Sequence, residues 1–151
     1  NHTVINTMGA EASIFFDIRE LMRRDVFLRS VNLSYSYIDQ DKETTPNLQS
    51  KYALEYLRHK FVAQANFRIW RLLEMNVSYR WQDRMGNYQK GNAMVAYEPY
   101  SLVDARLAWN ASQYKIYVEG NNLLNKTYYD HGNIPQPGIW VRAGASYKFK
   151  F

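Results

Sequence analysis

The sequence predicts an all-β chain built as a transmembrane antiparallel β-barrel, of which about seven strands are present. Three observations carry that expectation. Apolar and polar residues alternate with period two through most of the chain, which gives each strand one apolar and one polar face. The connections between these stretches are brief and long in turn, as in outer-membrane barrels with short periplasmic turns and extended outer loops. Aromatic residues make up 16% of the chain, 13 of them Tyr, and both strands and bilayer interfaces favour such side chains.

The end of the chain, IWVRAGASYKFKF (139–151), shows the alternation best. Ile139, Val141, Ala143, Ala145, Tyr147, Phe149 and Phe151 oppose Trp140, Arg142, Gly144, Ser146, Lys148 and Lys150. On the edge of a soluble sheet Phe149 and Phe151 would invite aggregation, whereas in a closed membrane barrel they belong to an interfacial aromatic girdle.

Taken in order, Met8, Ala10, Ala12, Ile14 and Phe16 mark a first strand over 5–18. RELMRRDVF (19–27) is a charged connection able to form one helical turn. In the second strand Val31, Leu33, Tyr35 and Tyr37 oppose Ser30, Asn32, Ser34 and Ser36, a face too polar for a core and therefore wet. The polar, proline-containing stretch 39–51 reads as a long loop. A third strand covers 52–69, with Phe61, Ala63, Ala65, Phe67 and Ile69 on one face. A tight connection at 70–72 leads to the fourth, where Leu73, Met75, Val77, Tyr79 and Trp81 oppose Glu74, Asn76, Ser78, Arg80 and Gln82. Residues 83–99 form the second long loop. The fifth strand sets Val103, Ala105, Leu107 and Trp109 against Asp104, Arg106 and Ala108. After a short turn at 110–113, the sixth sets Ile116 and Val118 against Lys115, Tyr117 and Glu119. Residues 121–138 are the third long loop, before the final strand.

Composition narrows the alternatives. No apolar run approaches the roughly 20 residues of a membrane-spanning helix. The mean hydropathy of −0.53 is compatible with a barrel, since half of each strand faces a polar lumen. The absence of Cys removes disulfides and every Cys-based nucleophile or metal ligand. A net charge of +5 is spread along the chain, with Arg23-Arg24 the one adjacent pair of arginines, so no nucleic-acid partner is expected. Seven strands cannot close around a water-filled lumen, and bacterial barrels normally have an even number. The expectation is therefore a chain that is mature, trimmed or a piece of something longer, with further strands upstream.

The segment GNNLLNKTYYDHGNIPQPGIWVRAGASYKFKF (120–151) resembles the C-terminal end of TonB-dependent outer-membrane receptors. Asn122-Leu123-Leu124-Asn125-Lys126-Thr127-Tyr128 is similar to that family's N-L-F-D-K-x-Y motif, with Leu124 for Phe and Asn125 for Asp. Pro137-Gly138 stands where the family often has Pro-Gly-Arg, followed here by Ile139. Arg142, Gly144, Tyr147, Phe149 and Phe151 resemble the assembly signal of outer-membrane barrels. YSLVDARLAW (100–109) resembles the preceding strand, so the specific likeness covers 100–151, while 1–99 is similar in architecture alone. The resemblance implies roughly the last seven of 22 strands in the bacterial outer membrane. It implies a plug domain and upstream strands, a TonB complex reached through the plug, the barrel-assembly machinery, and a small-molecule nutrient such as cobalamin or an iron-siderophore.

Candidate site residues follow from the loops and the polar face. Tyr128 and Tyr129 either stack on a planar ligand or cap a strand at the interface. Asp130 and His131 either touch a substrate or sit in a solvated loop, and Trp140 either lines the permeation path or packs under the loop. Asp104, Arg106, Glu119 and Arg142 share the lumen-facing parity and are expected to pair as wall lining and plug contacts. His2, His59 and His131 lack metal-ligand spacing, and no carboxylate–His–nucleophile constellation stands out, so neither a metal, a cofactor nor an enzyme is expected. Trp81 and Trp109 suit upper and lower aromatic belts. A stand-alone anchoring barrel, with an eighth strand within 51–60 or 19–27, remains open, as do a soluble lipocalin-like binder with an apolar cavity and a membrane-embedded enzyme.

Overall fold

The computed structural model describes residues 5–42, 56–130 and 134–149. In chain order it contains β1 (Ile5–Asp17), a short helix α1 (Ile18–Met22), β2 (Leu28–Lys42), β3 (Tyr56–Arg68) and β4 (Leu73–Met85). There follow β5 (Asn87–Lys90), β6 (Ala93–Ala96), β7 (Tyr100–Asn110), β8 (Tyr114–Asn121) and β9 (Trp140–Tyr147). Seven of these form one antiparallel sheet in the order β1-β2-β3-β4-β7-β8-β9, each bonded to its neighbour in sequence. β1 and β9 are its two edges, so the sheet is open.

The register joins like faces across the whole width. Phe16, Val31, Ala65, Val77, Ala105, Gly120 and Val141 lie opposite one another in one row, and Ile14, Leu33, Ala63, Tyr79 and Val103 in the next. A one-residue slip anywhere would break this apolar sheet face. The other face carries the matching polar row Ser30, Asn66, Asn76, Arg106, Glu119 and Arg142.

Several boundaries differ from the sequence expectation. β2 runs on to Lys42 rather than ending near Tyr37, because β1 continues to pair with it as far as Ile5. The region expected as a plain second loop contains the β5–β6 hairpin. Its Lys90 and Ala93 pair across Gly91-Asn92, a two-residue turn that favours a tight hairpin. The last strand stops at Tyr147 rather than continuing through Phe149, since β8 begins at Tyr114 and offers no ladder beyond that pair, and residues 150–151 lie outside the described residues. Past it, Lys148 N–H still reaches the Gln113 carbonyl at 2.8 Å. The charged first connection does make a helical turn, capped by the Asp17 carboxylate accepting from Glu20 N–H at 3.0 Å.

Gly144 has a local reason for lacking a side chain. A Cβ there would lie 2.7 Å from the Tyr117 ring on the neighbouring strand, which covers the glycine. The Arg106 guanidinium sits 4.0 Å from the centre of the same ring, on its way to Glu119. Gly144→Ala is expected to swing Tyr117 away and forfeit that stacking, lowering stability by about 1 kcal/mol. A urea titration of the folded protein would measure it, and an unchanged midpoint would show that the ring moves at no cost.

Candidate functional site

The polar face is hydrogen-bonded from strand to strand. Asn66 Nδ2 donates to Ser30 Oγ at 3.0 Å, and Asn76 Nδ2 donates to Asn66 Oδ1 at 2.8 Å. Farther along the row, Arg142 meets Glu119 at 2.6 Å and Arg106 approaches the same carboxylate at 3.9 Å. Such groups are satisfied only where water completes their remaining bonds, so this face belongs to an aqueous space. A cleft of about 410 Å³ runs along it, lined among others by Asn66, Asn76, Arg106 and Lys115.

At the end where the long connections gather, the segment between β8 and β9 is tied into a closed loop by Asn122. This residue is 3% exposed and adopts φ 51°, a left-handed conformation that Asn tolerates better than most residues. Its amide donates to the Lys126 carbonyl at 2.8 Å and the Pro137 carbonyl at 3.0 Å, while its Oδ1 accepts from Lys126 N–H at 2.9 Å. Its own N–H donates to Asp104 on β7 at 2.8 Å. Asn125 Oδ1 accepts from Ile139 N–H at 3.2 Å, and a Cβ on Gly138 would fall 2.5 Å from that oxygen. The residues of the N-L-L-N-K and Pro-Gly pattern thus hold the two ends of one long loop together.

The loop then leans against the β5–β6 hairpin through tyrosines. Tyr129 stacks on Tyr88 with ring centres 4.5 Å apart, Tyr88 packs on Tyr97 at 5.1 Å, and Tyr128 packs on Tyr100 at 4.5 Å. Arg84 from β4 donates to Asp130 Oδ1 at 2.9 Å and lies 6.0 Å from the Tyr97 ring centre. The Tyr100 hydroxyl is 2.5 Å from Gln82 Oε1 and 3.3 Å from Asp130. Tyr88, Tyr97, Tyr100 and Leu102 account for most of the small buried core. Burial pushes the Tyr128 phenol above its ordinary range, so it stays a protonated donor. A cleft of about 200 Å³ opens between these rings and Lys90, Lys126 and Glu98.

The expected residues therefore separate into groups. Tyr128, Tyr129 and Asp130 come together in the tyrosine cluster, whereas His131 and Phe151 lie outside the described residues. Trp140 stands apart from that cluster at the start of β9, with the Arg142 guanidinium 5.5 Å from its ring centre. Arg106 and Arg142 both pair with Glu119, but Asp104 forms no salt bridge among the described residues and caps the loop at Asn122 instead. Of the assembly pattern, Tyr147 and Phe149 touch edge to face at 4.9 Å, with Phe149 beyond the end of β9. Arg84, Tyr88, Tyr97 and Tyr100 join the site without being among the residues expected from sequence. Their crowding of tyrosines around a Gly-Asn turn was the available clue. Among the described residues no group of three or more His, Asp or Glu gathers as a metal site would require.

Asp130→Asn is expected to weaken the grip of Arg84 on the loop. Because Asp130 is half exposed, the loss should be about 1 kcal/mol at most, read as a few-fold faster tryptic cleavage after Lys126.

Comparison with known protein families matches residues 3–123 to the family described as TonB dependent receptor-like, beta-barrel. The match spans all strands of the sheet except β9 and stops inside the motif, at Leu123. No curated protein and no solved structure matches the chain. That family consists of transporters of the bacterial outer membrane. By its matched length, its seven-stranded antiparallel sheet and the opposition of its two faces, the chain belongs to the TonB-dependent receptors, as part of their β-barrel.

Proposed function

We propose that this chain is the C-terminal part of the barrel wall of a TonB-dependent transporter for a scarce nutrient such as cobalamin or an iron-siderophore. The observation that carries this reading is the pair of faces running unbroken across seven strands, one apolar and one hydrogen-bonded. The apolar face meets lipid. Along β4, eight residues separate Trp81 from Leu73, whose partner on β7 is Trp109. At about 3.3 Å per residue and a tilt of about 40°, the two indole levels stand roughly 20 Å apart along the membrane normal, near the apolar band of about 25 Å in such barrels. A lipocalin-like cavity would need the apolar face inside, where its Tyr and Trp girdle would have no role.

Asp104, Arg106, Glu119 and Arg142 line the lumen against a plug domain that precedes these strands and answers to the TonB complex. Tyr128, Tyr129 and Asp130, with His131, contribute to ligand contact from the outer loops, and Trp140 does so from the start of β9. The cleft of about 200 Å³ is smaller than the roughly 300–1,000 Å³ of complete small-molecule sites, so it takes one ring of a larger ligand. Arg142, Gly144, Tyr147, Phe149 and Phe151 present the last strand to the barrel-assembly machinery.

Titration of the purified full-length receptor with cyanocobalamin and with ferric siderophores, followed by intrinsic fluorescence, tests the reading. Saturable binding of one of them, weakened about tenfold by Tyr129→Ala, is expected. Binding of neither would remove the substrate assignment, and absence of the receptor from the outer-membrane fraction would remove the transporter itself.

A further inference from the structure

We infer that the rim formed by the short connections is a docking surface for the headgroups of anionic phospholipid. This rests on the reading of the chain as an outer-membrane barrel, with those connections toward the periplasm. The charge of the connections differs between the two ends of the sheet. Connection 18–27 and turn 69–72 carry Arg19, Arg23, Arg24 and Arg71 against Glu20 and Asp25. At the opposite end, Lys90 and Lys126 are matched by Glu98 and Asp130 in connections 86–99 and 122–139.

The arginines at the short-turn end are available. Asp25 is taken by Arg29, which holds its carboxyl below the usual range, and Glu74 lies 3.9 Å from Arg68. Arg23, Arg24 and Arg71 are exposed and form no salt bridge among the described residues. Arg23 is further fixed at the end of α1, in a left-handed conformation with its N–H bonded to the Glu20 carbonyl.

Apolar side chains surround these cations where water alone would not favour them. Leu21 is 69% and Trp70 67% exposed, and Met22, Phe27 and Leu72 are also turned outward. The two connections are joined, since Arg68 N–H donates to the Phe27 carbonyl at 2.8 Å and Phe27 packs on Phe67 at 5.1 Å. Between them lies an open cleft of about 590 Å³, lined by Asp25, Phe27, Arg29, Arg68, Trp70 and Arg71 among others, with the one carboxylate, Asp25, paired to Arg29. An indole beside arginines at the end of an apolar sheet face matches the chemistry of a lipid interface. The ring and the aliphatic groups meet the glycerol and upper acyl region, while the guanidiniums bind the phosphodiester in bidentate fashion. A free phosphate ion would satisfy the arginines but leave Leu21, Met22 and Trp70 in water. An acidic peptide would likewise lack a reason for them to stand at membrane depth.

The test uses the full-length receptor in nanodiscs of phosphatidylcholine containing a minor fraction of phosphatidylglycerol. Native mass spectrometry after release into detergent counts the retained lipids. Retained phosphatidylglycerol is expected to exceed its bulk share, and the triple variant Arg23→Gln, Arg24→Gln, Arg71→Gln is expected to reduce that excess about tenfold. Trp70→Ala should reduce it with the charges intact. The folded fraction of each variant, read from its gel mobility without heating, separates lipid loss from misfolding. An unchanged lipid preference in the folded triple variant would overturn the inference. So would displacement of the lipid by millimolar glycerol phosphate or by an acidic peptide. A receptor found outside the outer membrane would instead overturn the reading on which the inference rests.

Discussion

Val77→Arg is expected to cost the folded receptor about 2–4 kcal/mol, the penalty for an arginine at mid-depth on the lipid side of an outer-membrane barrel. Ser78→Arg, one residue along, should stay within about 1 kcal/mol, because an arginine facing a water-filled lumen keeps its hydration. Val77 sits in the middle of the apolar row, between Ala65 on β3 and Ala105 on β7. Ser78 lies between Gln64 and Asp104 on the polar face. The two variants share a strand, a level and a charge, so the difference between them reports sidedness alone. Equilibrium unfolding by urea in lipid vesicles would measure it. Equal costs at the two positions, or a larger one at Ser78, would mean that the apolar face is not the one in hydrocarbon.

Asn122→Ala is expected to be the most damaging substitution in the loops, at about 3 kcal/mol. Truncation strands the Lys126 N–H and the Lys126 and Pro137 carbonyls, which the Asn122 side chain now satisfies in a nearly closed site. Each buried group left without a partner costs about 1–3 kcal/mol, offset in part by water entering the vacated space. Alanine is also poorly suited to the left-handed backbone at this position. Asn122→Asp should fall between the two, since it keeps the acceptor for Lys126 N–H and loses the donors. The loop between β8 and β9 is long, and its closure entropy must be met by contacts of this kind. Loss of the clasp is therefore expected to appear both as a lower urea midpoint and as a larger fraction of unfolded receptor after assembly. A wild-type midpoint in Asn122→Ala would show that the β8–β9 ladder alone closes the loop.

Much of this was legible from the chain. The alternation in residues 30–37, 61–69 and 73–82 determined strands and faces, because a period of two leaves a side chain only two directions to point. The wet character of one face followed from Ser30, Asn32, Ser34 and Ser36, which no dry core could accommodate. The helical turn at 18–22 and the alternation of short with long connections were equally local. Local pattern also marked Asn122, Asn125 and Gly138, though only as letters of a resemblance.

What those letters do was decided in three dimensions. Asn122 and Pro137 are distant in sequence, and only the antiparallel return of β9 brings that carbonyl to the Asn122 amide. Asp104 had the parity of an ion-pair partner, yet the backbone N–H of Asn122 reached it first. Tyr88 and Tyr97 looked like unpatterned loop residues until the hairpin packed them on each other and set Tyr88 on Tyr129. Sequence alone determined which way each strand residue points, since that depends on one repeated backbone geometry. Only the tertiary structure decided which loop residues meet, since that depends on where strands far apart in the chain come to lie.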